Sequence, residues 1–323
     1  PAARRGSCSV CMKMYLTNMV SYLSYLKNFC KSTPLPEKVS HKSEFHVILS
    51  LDLCRIHGGT GRERKTGAIE EGSSAMAMIE DYRSALRAGQ RAYRACVARG
   101  QSPYLAVLDD ILNGVNIVAQ EPLGLVDIPA ESIVGTKTSG RHTAFAANFM
   151  PLLEEDTEFA IKWSNLCEAH LEEGIHTPII AYEYLNKFYV QEGNKRVSVL
   201  KYYEAVTIPG TVTRLVPARN DTLENKIYYE FLDFYKLSKI NNVQFSRLGG
   251  YAKLQTLVCK AASEVWSDDD RLNFSALYTM FSQQFYALGG SALGLTPGDA
   301  LNYAQRYGEF VKLKIENMQE QHN

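Results

Sequence analysis

Apolar and polar positions alternate at helical spacing from Ile79 to Arg99, where Tyr82, Ala85, Leu86, Tyr93 and Val97 form one stripe and Arg83, Arg87, Arg91 and Arg94 another. The pattern predicts one helix with a basic face. Solvation is the simpler account of that face, and phosphate or an acidic protein surface the alternative. A second short helix, Tyr104 to Leu112, ends at the turn Asn113-Gly114. The centre of the chain then changes period. Leu123 to Ile128 is a short apolar run closed by Pro129, and Glu154 to Glu173 reads as a helix ending at Gly174. Pro178 to Tyr182 and Lys187 to Gln191 read as strands, Asn194 to Tyr203 as a helix and Gly210 to Val216 as another strand. Beyond Pro217 the pattern is helical throughout: Leu223 to Lys239, Gly250 to Trp266, Asp270 to Tyr286 and Asp299 to Met318. The last carries a start signal, with Thr296 as N-cap, Pro297 at the first helical position and Asp299 at the third. The expected class is α/β: a mixed-sheet module followed by an all-helical domain.

Composition narrows the partners. At 323 residues with 46% hydrophobic and 22% charged residues, the chain has the make-up of an ordinary globular protein with room for two cores. Its formal net charge is zero, so no global basic field argues for nucleic acid. Seven cysteines, an odd number with one close pair, do not form a disulfide framework, and a reducing, cytoplasmic setting is the expectation. Met14 to Leu26 is polar in places and falls short of the roughly 20 apolar residues of a membrane span.

Residues 1–75 differ from the rest: they hold four of the seven cysteines and a basic excess. Glu70-Glu71-Gly72 can be encoded by a purine-rich stretch resembling a ribosome-binding sequence just ahead of Met76. The expectation is a leader or fusion segment before a start at Met76 or Met78, with a poorly ordered native arm as the alternative. The expected divisions are 1–75, a helical segment 76–122, an α/β domain 123–218 and a helical domain 219–323.

The segment Phe188-Tyr189-Val190-Gln191-Glu192-Gly193-Asn194-Lys195-Arg196 carries the chemistry: an apolar strand turns at glycine directly into a helix. A helix start offers unpaired N–H groups and partial positive charge, so it accepts anions. Lys195 and Arg196 lie in the first turn, where cations oppose the helix dipole, and a bound phosphate would resolve the conflict. Arg196 is expected to grip phosphate oxygens through two parallel bonds while contributing little to the fold.

Glu192-Gly193-Asn194-Lys195-Arg196 resembles the Gly-x-Arg-Arg box of ParB-type proteins. Ile128-Pro129, Ser132-Ile133-Val134 and Arg141 are similar to the opening element of that domain. Glu172-Glu173-Gly174-Ile175 with Pro178-Ile179-Ile180 resembles its middle element, and Ile208-Pro209-Gly210-Thr211-Val212 the strand after the box helix. The resemblance implies a ParB/sulfiredoxin fold with a nucleoside triphosphate, CTP or ATP, bound with magnesium. By position, Arg141, Gly193, Asn194, Lys195 and Arg196 would contact phosphate, and Glu192 would hold a metal or activate water. Sulfiredoxin places its reactive cysteine where Asn194 stands, which argues against peroxide repair. Residues 79–318 also resemble the amino-terminal half of bacterial proteins that carry a ParB-like region ahead of a basic-membrane-protein (BMP) family substrate-binding domain.

The functions implied are a nucleotide-responsive regulatory or DNA-associated module, an interaction domain of a BMP-family transporter-associated protein without nucleotide, or a nucleotidase or kinase-like enzyme using Glu192. A homodimer is left open. DNA readout is poorly supported, since the candidate recognition helix Tyr251 to Lys260 offers only Lys253 and Lys260 as cations. Gly58-Gly59-Thr60-Gly61 with Lys65-Thr66 lacks the glycine a P-loop needs before its lysine, and Cys8-x-x-Cys11 has no second close pair for zinc. Asp268-Asp269-Asp270 after Ser267 reads as a helix start.

Overall fold

The computed structural model of the chain describes residues 71–258, 260–287, 290 and 294–303. The expectations for the leader, the P-loop-like stretch and the Cys8–Cys11 pair lie outside these residues, as does most of the helix expected from Asp299. Two compact units are present, one running up to Asn220 and the other beginning at Asp221.

The first unit opens with α1 (Glu71–Ala98), followed by β1 (Ala106–Val107), α2 (Leu108–Ile111), β2 (Ile117–Pro129) and β3 (Ile133–Thr136). A 3-10 turn, Ser139–Ala144, precedes α3 (Glu158–Glu172), then β4 (Ile179–Tyr184), β5 (Lys187–Glu192), α4 (Asn194–Tyr202) and β6 (Thr207–Pro217). The six strands form one mixed sheet in the order β1-β3-β5-β4-β6-β2. β4 and β5 make a tight hairpin whose Leu185 and Asn186 both have positive φ, 51° and 61°. That is the twist a two-residue hairpin loop requires. β2 runs antiparallel to β6 along its whole length, with register shifts near Ile117 and at Pro122/Gly124. Its edge position explains how it tolerates Pro122, because the missing N–H need not face a neighbouring strand.

α3 starts where Thr157 accepts a hydrogen bond from the Ala160 N–H. Its buried residues Phe159, Ala160, Trp163 and Cys167 are spaced at one, three and four, the face of a helix packed on a core. They join Tyr82, Phe145, Phe149, Ile179, Val190, Val197 and Val212 in one apolar cluster. Two polar links fasten the helices of this unit. The Trp163 indole Nε1 donates to Ser198 Oγ at 2.8 Å, buried between α3 and α4. The hydroxyls of Tyr202 and Tyr203 both donate to the Asp81 carboxylate at 3.1 Å, tying α4 to α1. Within the sheet, Glu183 of β4 and Arg214 of β6 form an ion pair at 2.5 Å, each 1% exposed.

The second unit contains α5 (Leu223–Ser238), α6 (Gly250–Leu257) and α7 (Asp268–Ala287), with a further helical stretch over 297–303. Tyr228, Phe231, Phe234, Tyr251, Trp266 and Phe274 are buried and meet ring to ring. α7 begins at Asp268 and is capped by Ser267, whose Oγ accepts from the Asp270 N–H at 3.2 Å. Thr296 and Asp299 form the expected reciprocal cap: the Asp299 N–H donates to Thr296 Oγ1, and the Thr296 N–H to Asp299 Oδ2. α6 stops at Leu257, well before the end expected at Trp266 from the apolar pattern. Beyond it the chain turns back, and Gln255 donates to the carbonyls of Ala261 and Glu264 while accepting from the Trp266 indole. No helix among the described residues is long and apolar enough to cross a membrane.

Candidate functional site

The strand-turn-helix expected at Gly193 is present: β5 ends at Glu192, and α4 begins at Asn194. Gly193 has φ 107°, a conformation side chains disfavour, and an added Cβ would lie 2.8 Å from Ile179 Cγ2. The Gly193 carbonyl accepts the first helical bond from the Val197 N–H. The following N–H groups of Asn194, Lys195 and Arg196 therefore open the helix without intrahelical acceptors.

The side chains of the turn point to different tasks. Asn194 Nδ2 donates to Thr136 Oγ1 at 3.2 Å, and Thr136 Oγ1 donates to the Val190 carbonyl at 3.0 Å. Asn194 Oδ1 is buried without a partner among the described residues. Arg196 turns inward: its Nη1 donates to the carbonyls of Thr177 and Pro178 at 2.9 and 2.6 Å, and its Nη2 lies 3.6 Å from Glu192 Oε1. It thus clamps the entry of β4 beneath the turn. Glu192 is 68% exposed and has this guanidinium as its neighbour.

Lys195 faces the other way. Its Nζ sits over the Phe159 ring, 4.6 Å from the centroid, at the start of α3. Burial, and then the positive charges of Lys162 and Arg141, hold its ammonium below the usual lysine range, with Glu158 opposing them. The Glu158 carboxyl is lowered in turn, first by its hydrogen bond with Lys162 and then by the charges of Lys162, Lys195 and Arg141. Arg141, from the 3-10 turn, and Lys195, from α4, converge on the first turn of α3, where Lys162 and Glu158 pair at 2.5 Å. Three cations thus share one carboxylate, and neither Arg141 nor Lys195 has an ion-pair partner within 4 Å among the described residues. Each ammonium or guanidinium so placed has charge-assisted hydrogen bonds to offer to an anion's oxygens.

Of the residues expected at the site, Gly193, Asn194, Lys195 and Arg196 share the turn, and Arg141 reaches it electrostatically from the 3-10 turn. Glu192 and Arg196 face each other on its outer flank. Sequence reasoning missed Lys162 and Thr136. The only trace of Lys162 is its four-residue spacing from Glu158, which is common on solvated helices and says nothing of Lys195.

The fold and this cluster define an α/β unit with a cation-rich helix start. Residues 295–323 match the model of a family described as the FakA-like middle domain, after a fatty acid kinase. Protein YloV of Bacillus subtilis is 73% identical over 26 residues, 8% of this chain and 5% of that protein. An uncharacterized protein of Staphylococcus epidermidis is 69% identical over 26 residues, and one of Staphylococcus haemolyticus 67% over 27, again 8% of this chain and 5% of theirs. The chain thus spans about 5% of the length of these curated relatives. No solved structure matches.

These findings correct the family expectation: the family model that matches, over residues 295–323, is FakA-like, not ParB/sulfiredoxin and not BMP. The nucleotide-responsive or DNA-associated regulatory role, the BMP-associated interaction domain and the ParB-type nucleotidase drawn from that resemblance fall with it. The DNA expectation also loses its physical support. Lys260 lies beyond α6 and is held by Glu264 and Asp270 at 3.0 and 2.8 Å, leaving Lys253 as the cation of that helix.

Proposed function

We propose that the chain is part of a FakA-like fatty acid kinase protein and that Arg141, Lys162 and Lys195 receive the phosphate-bearing group of its ligand. The observation that carries this reading is the convergence of Lys195 and Arg141, neither in an ion pair within 4 Å among the described residues, on the Lys162–Glu158 pair beside the start of α4. The match over residues 295–323 supports the reading: the family is described after a kinase, and kinases act on phosphoryl groups, whose oxygens are anionic. Positioning and charge neutralisation are what proteins contribute to phosphoryl transfer. Of CTP and ATP, ATP with magnesium is the donor this reading favours. Lys195 and Arg141 would hold its phosphate oxygens, Gly193 and Asn194 would let the backbone N–H groups approach, and Arg196 would keep the turn in shape. Magnesium would neutralise phosphate charge, with Glu192 the nearest exposed carboxylate of the turn.

Calorimetric titration of the whole chain with ATP and magnesium, and with acetyl phosphate as a small acyl phosphate, tests the proposal. Lys195→Ala is expected to weaken binding by about 1.5–3 kcal/mol, more than ten-fold, the range for a hydrogen bond to a charged group. Equal affinity in the variant, or no binding by the folded wild type, would exclude the site.

A further inference from the structure

The three cations come from separate elements, and their convergence depends on how α3 lies against α4. A buried polar contact crosses that interface beside the cations. Trp163 is fully buried next to Lys162 on α3, and its indole Nε1 donates to Ser198 Oγ at 2.8 Å. Ser198, also fully buried, stands three residues after Lys195 on α4, so the two lie on the same side of that helix. Around this bond the contacts are apolar: Phe159, Ala160, Val197 and Leu200 belong to the same cluster. Apolar contacts tolerate sliding, whereas an indole N–H meeting one hydroxyl fixes both distance and direction.

We propose that Ser198 is a positioning residue for the anion site, its bond with Trp163 setting the separation of Lys162 and Lys195. The inference rests on the proposed anion site. Removing the hydroxyl strands a buried donor, and the local response is for α3 and α4 to shift until the indole finds water or a carbonyl. Lys162 then moves relative to Lys195, and the site loses the convergence that favours a polyanion.

A pH readout separates positioning from mere stability. The charged groups facing the Lys195 ammonium are Lys162 and Glu158 from α3 and Arg141 from the 3-10 turn. Burial first, and then the repulsion of Lys162 and Arg141, disfavours its charge, so anion binding declines with rising pH at a lower pH than an ordinary lysine would set. Separating Lys162 from Lys195 relieves repulsion and moves that decline upward, while affinity at neutral pH falls. A loss of stability alone produces no such opposed pair of changes.

Inorganic tripolyphosphate titrated into the full chain across neutral to alkaline pH is the experiment. Ser198→Ala is expected to bind several-fold more weakly at neutral pH with its alkaline decline moved up, and Ser198→Thr, which keeps the hydroxyl, to retain wild-type behaviour in both respects. Should Ser198→Ala not fold, Trp163→Phe removes the same bond from the α3 side and is held to the same two readouts. Wild-type affinity and an unmoved alkaline decline in the variant that folds overturn the positioning role alone, provided Lys195→Ala weakens binding more than ten-fold. Absence of tripolyphosphate binding to the folded wild type overturns the anion site and this inference together.

Discussion

Arg196 shows how a side chain's direction decides its role. Its place in the first turn after Gly193 suggests a phosphate contact with little structural weight, yet its Nη1 hydrogens are directed at the Thr177 and Pro178 carbonyls. Arg196→Ala leaves those carbonyls without their donor, and the expected cost is about 1–3 kcal/mol, read as a lowered urea midpoint with unchanged slope. An unchanged midpoint would return the residue to the solvent-facing role. Lys201 makes a different residue-level forecast. Its Nζ donates to the Ile133 carbonyl at 2.8 Å, and burial pushes its ammonium down to about 8 despite the opposing pull of Glu131. In the unfolded chain a lysine holds its proton to about 10.4. Between those values the unfolded state binds more protons than the folded one, so stability rises with pH across that window. Urea unfolding at intervals from neutral pH to about 10 should show a gain of roughly 1–3 kcal/mol that Lys201→Met removes. An identical pH profile in the variant would mean that the amine is solvated.

At the scale of elements, the mixed sheet joins parallel and antiparallel neighbours through β4, which pairs with β5 on one side and β6 on the other. The Glu183–Arg214 pair sits on this junction, and Glu183 Oε1 also accepts from the Asn186 N–H in the β4–β5 hairpin. One carboxylate therefore serves both the sheet and the turn. Glu183→Ala deprives a buried guanidinium of its carboxylate and should destabilise by about 3–5 kcal/mol, whereas replacing both partners with apolar residues should cost much less. Chemical denaturation of the single and double variants distinguishes them, and equal losses would assign the cost to packing. Elements were legible where local chemistry defines them. Ser267 and Thr296 cap helices, and Gly174 at φ 83° accompanies the end of α3, whereas the start of α3, expected at Glu154, falls at Glu158 behind the Thr157 cap. The failures have tertiary causes. β1 is two residues paired with β3, too short to carry a period, and falls inside a stretch that reads as helix. β2 extends through Pro122 and Gly124 because pairing with β6 overrides both breakers, and Trp266 reads as helical but is turned back by Gln255.

Over the whole molecule, the mixed α/β class followed by helices was readable from the change of apolar period near Pro217, because period reports which face each element buries. The turn at Gly193 was readable for the same local reason, whereas the partnership of Lys195 with Lys162 and Arg141 depends on how α3 and the 3-10 turn pack. Local likeness at four short elements, the Gly193 turn among them, also misdirected the family expectation, which the match at residues 295–323 corrects. The distribution of the core leads to a last forecast. The larger apolar cluster of the first unit is built from residues between Tyr82 and Val212, and the smaller from residues between Leu108 and Leu215. Its buried polar links, Asp81 with Tyr202 and Tyr203, Trp163 with Ser198 and Glu183 with Arg214, close within the same span. Among the described residues, neither cluster includes one after Asn220. A chain of residues 71–220 is therefore expected to unfold cooperatively, with coincident loss of far-ultraviolet and near-ultraviolet circular dichroism. Retained helical signal without near-ultraviolet signal would mean that the aromatic core of this unit needs the remainder of the chain to pack.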